Sequence, residues 1–188
     1  MSIEDYIRKY IDPHLESNGL PFQIKKMSLK RGGIITDYGQ YEKNLYFINS
    51  GIAQLSFLTD DFKERILYFH TENTFVSVLS SFYHKAPSDV QLSCVTNCEL
   101  EYVDFEELEK VSETSLLASN LMKHEYRSFL LKLIKKQKDI HRKSSAEMYK
   151  DLFYSHPELI KRLPVKKLAH YLGIYPESLS RIRREIMN

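Results

Sequence analysis

Charged and hydroxyl side chains are concentrated in the last apolar-periodic segment of the sequence, residues 176–186. Three aliphatic residues recur there at helical spacing and form one face: Leu179, Ile182 and Ile186. The opposite face carries Glu177, Ser180, Arg181 and Arg184, with Ser178, Arg183 and Glu185 on its flanks. Arginine can bond bidentately to guanine, glutamate can accept a hydrogen bond from cytosine, and serine can bond a base or a phosphate. These are the side-chain types that a helix uses to contact base edges.

A shorter helical segment comes directly before this one, at residues 165–172. Its inward positions are Val165, Leu168, Ala169 and Leu172. The segment ends at Gly173, where a left-handed residue strains least, and Pro176 suits the first turn of the next helix. Two helices that meet at a glycine-containing turn predict a helix-turn-helix, whose second helix enters the DNA major groove. The same spacing also fits an ordinary terminal hairpin of two helices with a solvated face.

Charge is distributed unevenly along the sequence. Residues 1–119 carry 11 Lys/Arg and 18 Asp/Glu, a net charge of −7, whereas residues 120–188 carry 16 and 7, a net charge of +9. The formal net charge of +2 therefore averages an acidic body and a basic C-terminal third. Such an asymmetry is typical of a protein in which one part contacts a polyanion.

Composition indicates a globular protein, with 43% hydrophobic and 28% charged residues in 188. No apolar run approaches the ~20 residues of a membrane span, and the charged N-terminus lacks the apolar centre of a signal peptide. We therefore predict a cytoplasmic protein with no membrane partner. The sequence has no nucleophile–base pair, no Gly-rich phosphate loop and no histidine pair at metal-ligand spacing, so we predict neither an enzyme nor a metal site.

Two cysteines, Cys94 and Cys98, are four residues apart in a stretch with the pattern of a strand. In an unbroken strand their side chains would share a face. A thiol switch or a metal site is one interpretation of the pair. Burial in the core is the other, and it is the more common environment of a free cysteine.

The other elements follow from hydrophobic periodicity. Short aromatic and β-branched segments over residues 22–103 predict an antiparallel sandwich or barrel, preceded by a helix from residue 3 to about residue 17. A short capped helix is expected at 104–111, and a helix of roughly 39 Å from about residue 115 to 140. That long helix must pack on the sandwich, on a second copy, or on both. Ser144 and Glu147 predict a capping box at the start of a further helix.

This order of elements resembles the Crp–Fnr superfamily of bacterial transcription regulators. The segment LAHYLGIYPESLSRIRRE (168–185) is similar to the recognition segment of that family, SAEMYKDLFYSHPEL (145–159) to its linking helix, and YFINSGIAQL (46–55) to its β-roll. The resemblance implies an α+β protein with an N-terminal antiparallel β-roll sensor domain and flanking helices at 1–111. A long dimerisation helix at 112–141 and a helix-turn-helix DNA-binding domain at 142–188 would follow.

The resemblance also implies site residues and partners. In that family a Glu and an Arg four residues apart read bases, which assigns base reading to Glu177 and Arg181 and places Ser178 and Ser180 at a base or a phosphate. Backbone contacts are then expected from Lys166, Lys167, Tyr171, Arg183 and Arg184. The implied partners are a near-palindromic double-stranded DNA site, a second copy of the chain, RNA polymerase and an unidentified small-molecule effector.

The sequence departs from the family pattern at the effector site. Members that bind cyclic AMP hold its phosphate with a Gly-Glu pair and a later Arg-Ser pair, whereas the matching residues 75–93 contain no Gly, Glu or Arg. Ser77-Val78 and Ser88-Asp89 stand near those positions, and Lys85 is the nearby cation. A cyclic phosphate needs a cation and free N–H groups, so we predict no response to cyclic AMP.

No bound cofactor is predicted. The N-terminus has no cysteine cluster for iron and sulfur, although the His and Met residues leave haem open. The function we predict is a sequence-specific DNA-binding transcriptional regulator. The alternative is a small-molecule sensor that acts through protein contacts.

Overall fold

The computed structural model describes residues 1–16 and 19–187. In this part of the chain the strands are β1 (Lys25–Leu29), β2 (Ile34–Thr36), β3 (Asn44–Ser50), β4 (Ala53–Leu58), β5 (Glu64–His70), β6 (Phe75–Val76), β7 (Gln91–Cys94) and β8 (Cys98–Asp104). The helices are α1 (Ile3–Tyr10), α2 (Leu79–His84), α3 (Phe105–Ser112), α4 (Leu116–Arg142), α5 (Ser145–Ser155), α6 (Pro157–Arg162), α7 (Val165–Leu172) and α8 (Pro176–Met187).

The described strands form two four-stranded sheets, in the orders β1-β8-β3-β6 and β2-β7-β4-β5. Strand β8 pairs antiparallel with β1 and with β3, and a register shift between Ile48 and Ser50 bends β3. Alternation along β8 turns Cys98 and Leu100 to one face of the sheet and Glu101 and Val103 to the other, and all four are buried. The predicted α+β fold with an antiparallel β-roll is confirmed.

Contacts divide the described chain into two compact units, and neither coincides with a predicted domain boundary. The first unit contains residues 1–55 and 69–130, and the second contains residues 56–68 and 131–188. The three-part division at 111 and 141 remains a prediction.

The core of the first unit is built from both helices and strands. Its largest fully buried side chains include Phe47, Phe105, Leu108 and Leu121, which come from β3, α3 and the start of α4. Phe82 of α2 stacks on Phe105 with 4.3 Å between ring centroids. Helix α3 begins as predicted, because the Asp104 side chain accepts a hydrogen bond from the Glu107 N–H.

Helix α1 is shorter than the sequence predicts. It ends at Tyr10 instead of about residue 17, and its last cap is Ile11. Pro13 explains the difference, because proline has no N–H to donate and disfavours a helical conformation in the residue before it. Ser17 and Asn18, where the predicted helix ended, lie outside the described residues.

Helix α4 spans 27 residues, or ~40 Å at 1.5 Å per residue, and confirms the predicted long helix. Its N-terminal part buries Ala118, Leu121 and Met122. Farther along, large apolar side chains are exposed: Tyr126, Phe129, Leu130, Leu131, Ile134 and Ile140. Within the described residues, no helix is both long enough and apolar enough to cross a membrane.

Candidate nucleic-acid interface

Helices α7 and α8 form the predicted helix-turn-helix. Gly173 caps α7 in the left-handed conformation, with φ 70°, and its N–H donates to the Ala169 carbonyl. An L side chain at that backbone geometry would be strained, which is why glycine suits the turn. Pro176 opens α8 as expected. The turn therefore joins the two helices in the order of a helix-turn-helix.

A small core beneath the two helices fixes their arrangement. Its buried residues come from α5, α6, α7, α8 and the segment between α6 and α7: Tyr149, Ile160, Leu163, Leu168, Ala169, Leu172 and Leu179. The Ser145 hydroxyl donates to the Leu172 carbonyl at 3.2 Å, which ties the start of α5 to the end of α7. The predicted capping box of Ser144 and Glu147 is also present.

Most of the predicted DNA-contacting side chains are exposed. Those on the outer faces of the two helices are Lys166, Glu177, Ser180, Arg181 and Arg184. Ser178 and Arg183 are half-buried on the flanks of α8. The Ser180 hydroxyl donates to the Pro176 carbonyl at 3.0 Å, so its oxygen can accept from a base, whereas its O–H must turn from Pro176 to donate to a phosphate. Glu177, Ser180 and Arg181 thus share one accessible surface.

Lys167 lies in a different environment from Lys166. Its ammonium bonds both carboxylate oxygens of Glu64, at 2.9 and 3.0 Å. The same carboxylate lies 3.2 Å from the Nδ1 atom of His170, one turn along α7. We call Glu64, Lys167 and His170 the Glu64 cluster. In this arrangement Lys167 is engaged with a carboxylate.

Tyr171 is also engaged by another side chain. The Lys136 ammonium of α4 lies 4.8 Å from the centre of the Tyr171 ring and 4.2 Å from the centre of the Tyr68 ring. It donates to the Leu67 carbonyl of β5. Burial lowers the pKa of Lys136 from its usual 10.5 to about 8, and burial raises the pKa of Tyr171. This group of contacts connects β5, α4 and α7.

Glu64 and Lys136 carry no signal in the sequence that would place them at this site. Glu64 is 103 residues from Lys167, and both it and Lys136 stand among other charged residues. Only the folded chain brings them to α7.

A tight turn joins β4 to β5. We call residues 56–68, which comprise this turn and the adjoining parts of both strands, the hairpin tip. The Thr59 N–H donates to the Lys63 carbonyl at 3.0 Å, and Phe62 has a positive φ of 57° and is 84% exposed. Hydrogen bonds from Lys63 and then Thr59 lower the pKa of Asp61 to about 2. Asp61, followed by Tyr175, raises the pKa of the Lys63 ammonium.

The residues that the sequence resemblance places near a cyclic-phosphate site make internal contacts. The Ser77 hydroxyl donates to the Asn44 carbonyl at 2.8 Å, and the Ser88 hydroxyl donates to the Val90 carbonyl at 2.6 Å. The Lys85 ammonium lies 4.4 Å from the centre of the Phe82 ring. These polar groups stabilise the loop around α2.

A cavity of about 550 Å³ opens beside residues 35–46 in the β-roll. Glu42, which lines it, is buried and satisfied within the chain. Its carboxylate accepts hydrogen bonds from the Thr36 hydroxyl and from the N–H groups of Lys43 and Asn44. The carboxylate therefore serves the local turn.

The two cysteines do not share one strand, contrary to the sequence expectation. Cys94 ends β7 and Cys98 begins β8, with a turn between them. Both are free and buried, and Cys98 Sγ lies 3.4 Å from the Ile52 carbonyl oxygen. A Cβ on Gly51 would approach this sulfur to 2.7 Å, so the thiol is tightly enclosed. Of the two interpretations, this geometry favours core residues.

Comparison with known proteins places this geometry in context. Residues 26–115 match the cyclic nucleotide-binding domain family. No curated protein matches the chain. Among solved structures, the chain is similar to FixK2 from Bradyrhizobium japonicum, with 14% identity and a TM-score of 0.72 over 88% of this chain and 85% of that one.

Two further structures have the same architecture. One is the c-di-GMP responsive global regulator CLP of Xanthomonas campestris, with 20% identity and a TM-score of 0.68 over 87% of this chain and 86% of that one. The other is a regulator of the crp/fnr family from Eubacterium rectale, with 16% identity and a TM-score of 0.68 over 88% and 79%. At these identities the likeness establishes the fold, and it confirms the architecture that the sequence resemblance implied.

Proposed function

We propose that this chain, which has the fold of the Crp–Fnr regulators, is a homodimeric, sequence-specific DNA-binding transcriptional regulator. The observation that carries the proposal is the accessible face of α8. Glu177, Ser180 and Arg181 lie together on the second helix of a helix-turn-helix whose turn is set by Gly173. In this geometry Arg181 and Glu177 read base edges, and Ser178 and Ser180 bond a base or a phosphate.

The exposed apolar face of α4 supports the proposed dimer. Tyr126, Phe129, Leu130 and Ile134 recur at helical spacing and are 38–54% exposed, which is typical of a helix that packs on a partner helix. Two copies would place two α8 helices in successive major grooves. The target would then be near-palindromic, with half-sites about one turn, ~34 Å, apart.

The effector of this proposed regulator is not cyclic AMP. Ser77 and Ser88, near the positions of the phosphate-binding pairs, donate to backbone carbonyls, and Lys85 lies over Phe82. A cyclic phosphate would find neither an arginine nor a glycine-rich backbone in residues 75–93. A different small molecule and RNA polymerase are the further partners in this proposal.

The alternative is a sensor whose helix-turn-helix binds a protein. The charge of residues 120–188, +9, favours DNA because phosphate neutralisation supplies much of the affinity of DNA-binding proteins. DNA affinity with a steep salt dependence separates the two functions, since phosphate contacts release counterions.

Lys166→Ala tests the DNA-binding function directly. Lys166 is an exposed lysine in the first turn of α7, where a helix-turn-helix crosses the DNA backbone. We expect the substitution to weaken binding to all sequences alike and to reduce the slope of log K against log salt by about 1 per subunit. Fluorescence anisotropy at a series of salt concentrations measures both quantities.

Lys110→Ala is the matched control. Lys110 is an exposed lysine on α3, outside the helix-turn-helix. It should leave the affinity and the slope unchanged. Wild-type protein whose affinity for DNA does not depend on salt, or equal effects of the two lysines, would contradict the proposed function.

A further inference from the structure

The Glu64 carboxylate binds the ammonium of Lys167, a cation that a DNA-binding helix-turn-helix would use to contact phosphate. Glu64 Oε1 and Oε2 lie 2.9 and 3.0 Å from the Lys167 ammonium, and Oε2 also lies 3.2 Å from His170 Nδ1. The side chains of Lys167, Glu64 and His170 are 30%, 26% and 18% exposed. The cluster is thus partly shielded from water, which strengthens the ion pair relative to a fully exposed one.

The geometry of this contact resembles that of a phosphate contact. A carboxylate presents two anionic oxygens to one ammonium, as a phosphodiester does. Lys167 follows Lys166 in the first turn of α7, the helix that crosses the DNA backbone in a helix-turn-helix. Two of the three N–H donors of the Lys167 ammonium go to Glu64, and the charge of this carboxylate repels a phosphate that approaches the third donor.

A second contact holds the strand that carries Glu64 in place. Lys136 donates to the Leu67 carbonyl and lies over the rings of Tyr68 and Tyr171. This contact joins β5 to α4 and α7 independently of the Glu64 ion pair.

We propose that Glu64 is an intramolecular phosphate mimic that competes with DNA for Lys167 and lowers the DNA affinity of the resting protein. The inference rests on the proposed function and adds a regulatory contact to it. Displacement of the hairpin tip frees Lys167, and DNA binding in turn disfavours the paired state by the same free energy. A signal that moves β4 and β5 would then act on DNA binding through one ion pair.

Glu64→Gln tests the competition. The amide keeps the size of the side chain and one oxygen acceptor but removes the charge that holds Lys167. We expect DNA affinity to rise roughly threefold to tenfold, and the slope of log K against log salt to steepen by about 0.9 per subunit, because Lys167 gains a phosphate contact. Anisotropy titration against duplex DNA over a range of salt concentrations measures both changes.

Asp61→Asn is the charge-matched control, because it removes the same charge from the same hairpin tip. Asp61 pairs with Lys63 and with Thr59 in that hairpin. It should raise DNA affinity less than Glu64→Gln and leave the salt slope unchanged. Equal effects of the two variants would reduce the role of Glu64 to general charge repulsion and would overturn the inference.

Lys167→Gln in two backgrounds locates the gained contact. In the wild type the substitution should change DNA affinity less than twofold, since Lys167 is held by Glu64. In the Glu64→Gln background it should abolish the gain in affinity and in slope. Equal losses of affinity in both backgrounds would show that Lys167 contacts DNA despite Glu64, and the competition would be wrong.

Hydrogen exchange separates failure of the inference from failure of the proposed function. Without DNA, Glu64→Gln should speed amide exchange in residues 56–68 and in α7 more than Asp61→Asn does. Unchanged exchange would overturn the contact itself. If the wild type binds DNA but Glu64→Gln alters neither affinity nor slope, only the inference is wrong. If exchange rises but neither the wild type nor any variant binds DNA, the inference and the proposed function are both wrong.

Discussion

Lys136 is a lysine whose protonation depends on the fold. Burial lowers its pKa from 10.5 to about 8, so between these values the unfolded chain binds a proton that the folded chain has released. The free energy of unfolding must therefore rise with pH in that window. Below about pH 8 both states carry the charge, and the cost of burying it is fully present.

Lys136→Met should remove this pH dependence. From about pH 7.5 to about pH 9.5, the free energy of unfolding of the wild type should rise by roughly 1–2 kcal/mol relative to the variant. The neighbouring tyrosines, Tyr68 and Tyr171, are present in both proteins, and burial raises their pKa values. Urea unfolding at several pH values measures the difference. Parallel pH profiles of the two proteins would show that Lys136 is as well solvated in the folded state as in the unfolded one.

The burial of single residues on α8 could be predicted from the sequence. The contacts that α7 makes with distant parts of the chain could not. Helical periodicity correctly separated buried Leu179 from exposed Glu177 and Arg181, because a 3.6-residue repeat is a local property. The ion pair of Lys167 with Glu64 spans 103 residues and depends on how the hairpin tip folds back. No local pattern records such a contact. The DNA-contacting roles of the site residues remain predictions.

The testable prediction for a single secondary-structure element concerns helix α4. Its exposed face includes Leu130 and Ile134, and burial of such side chains against a second copy would stabilise a dimer. Leu130→Glu places a charge in that face and should shift the protein toward monomer, with weaker binding to a two-half-site DNA. Lys132→Gln lowers the net charge by the same amount at an exposed position on the opposite side of α4 and should not shift the equilibrium.

Sedimentation velocity over a tenfold or wider range of protein concentration measures the dimer equilibrium. A wild-type monomer, or a Leu130→Glu variant that stays dimeric to the same dilution, would show that this face does not join two copies. The folding of both variants can be compared by circular dichroism, because α4 is one of the largest helical segments of the described chain.

Elements with strong local signals were predictable, and those decided by a single residue or a tertiary contact were less so. The capping box at Ser144 correctly predicted the start of α5, and Gly173 correctly predicted the end of α7. Helix α1 was predicted too long, since its periodic pattern continues past Pro13, where the backbone cannot remain helical. Cys94 and Cys98 would share a face only in an unbroken strand, and their spacing does not reveal the turn between β7 and β8.

At the scale of the whole molecule, charge and architecture support the same function. The net charge is negative over residues 1–119 and positive over residues 120–188, and the positive part contains the helix-turn-helix. In the proposed function, nonspecific attraction to DNA would come from the charge, and selection among sequences would come from the face of α8. The overall order of elements was predictable from the sequence because each has its own periodicity, while the grouping of residues 56–68 with 131–188 was not.

The most direct test of the central claim is selection of DNA from a fragmented genomic library, with the wild type and Arg181→Ala side by side. The account predicts that the wild type enriches a near-palindromic motif with half-sites about one helical turn apart. Arg181→Ala should lose roughly 1–3 kcal/mol on that site and relax the preference at one base of each half. Enrichment of no motif, or of the same motif with the same base preference by both proteins, would contradict it.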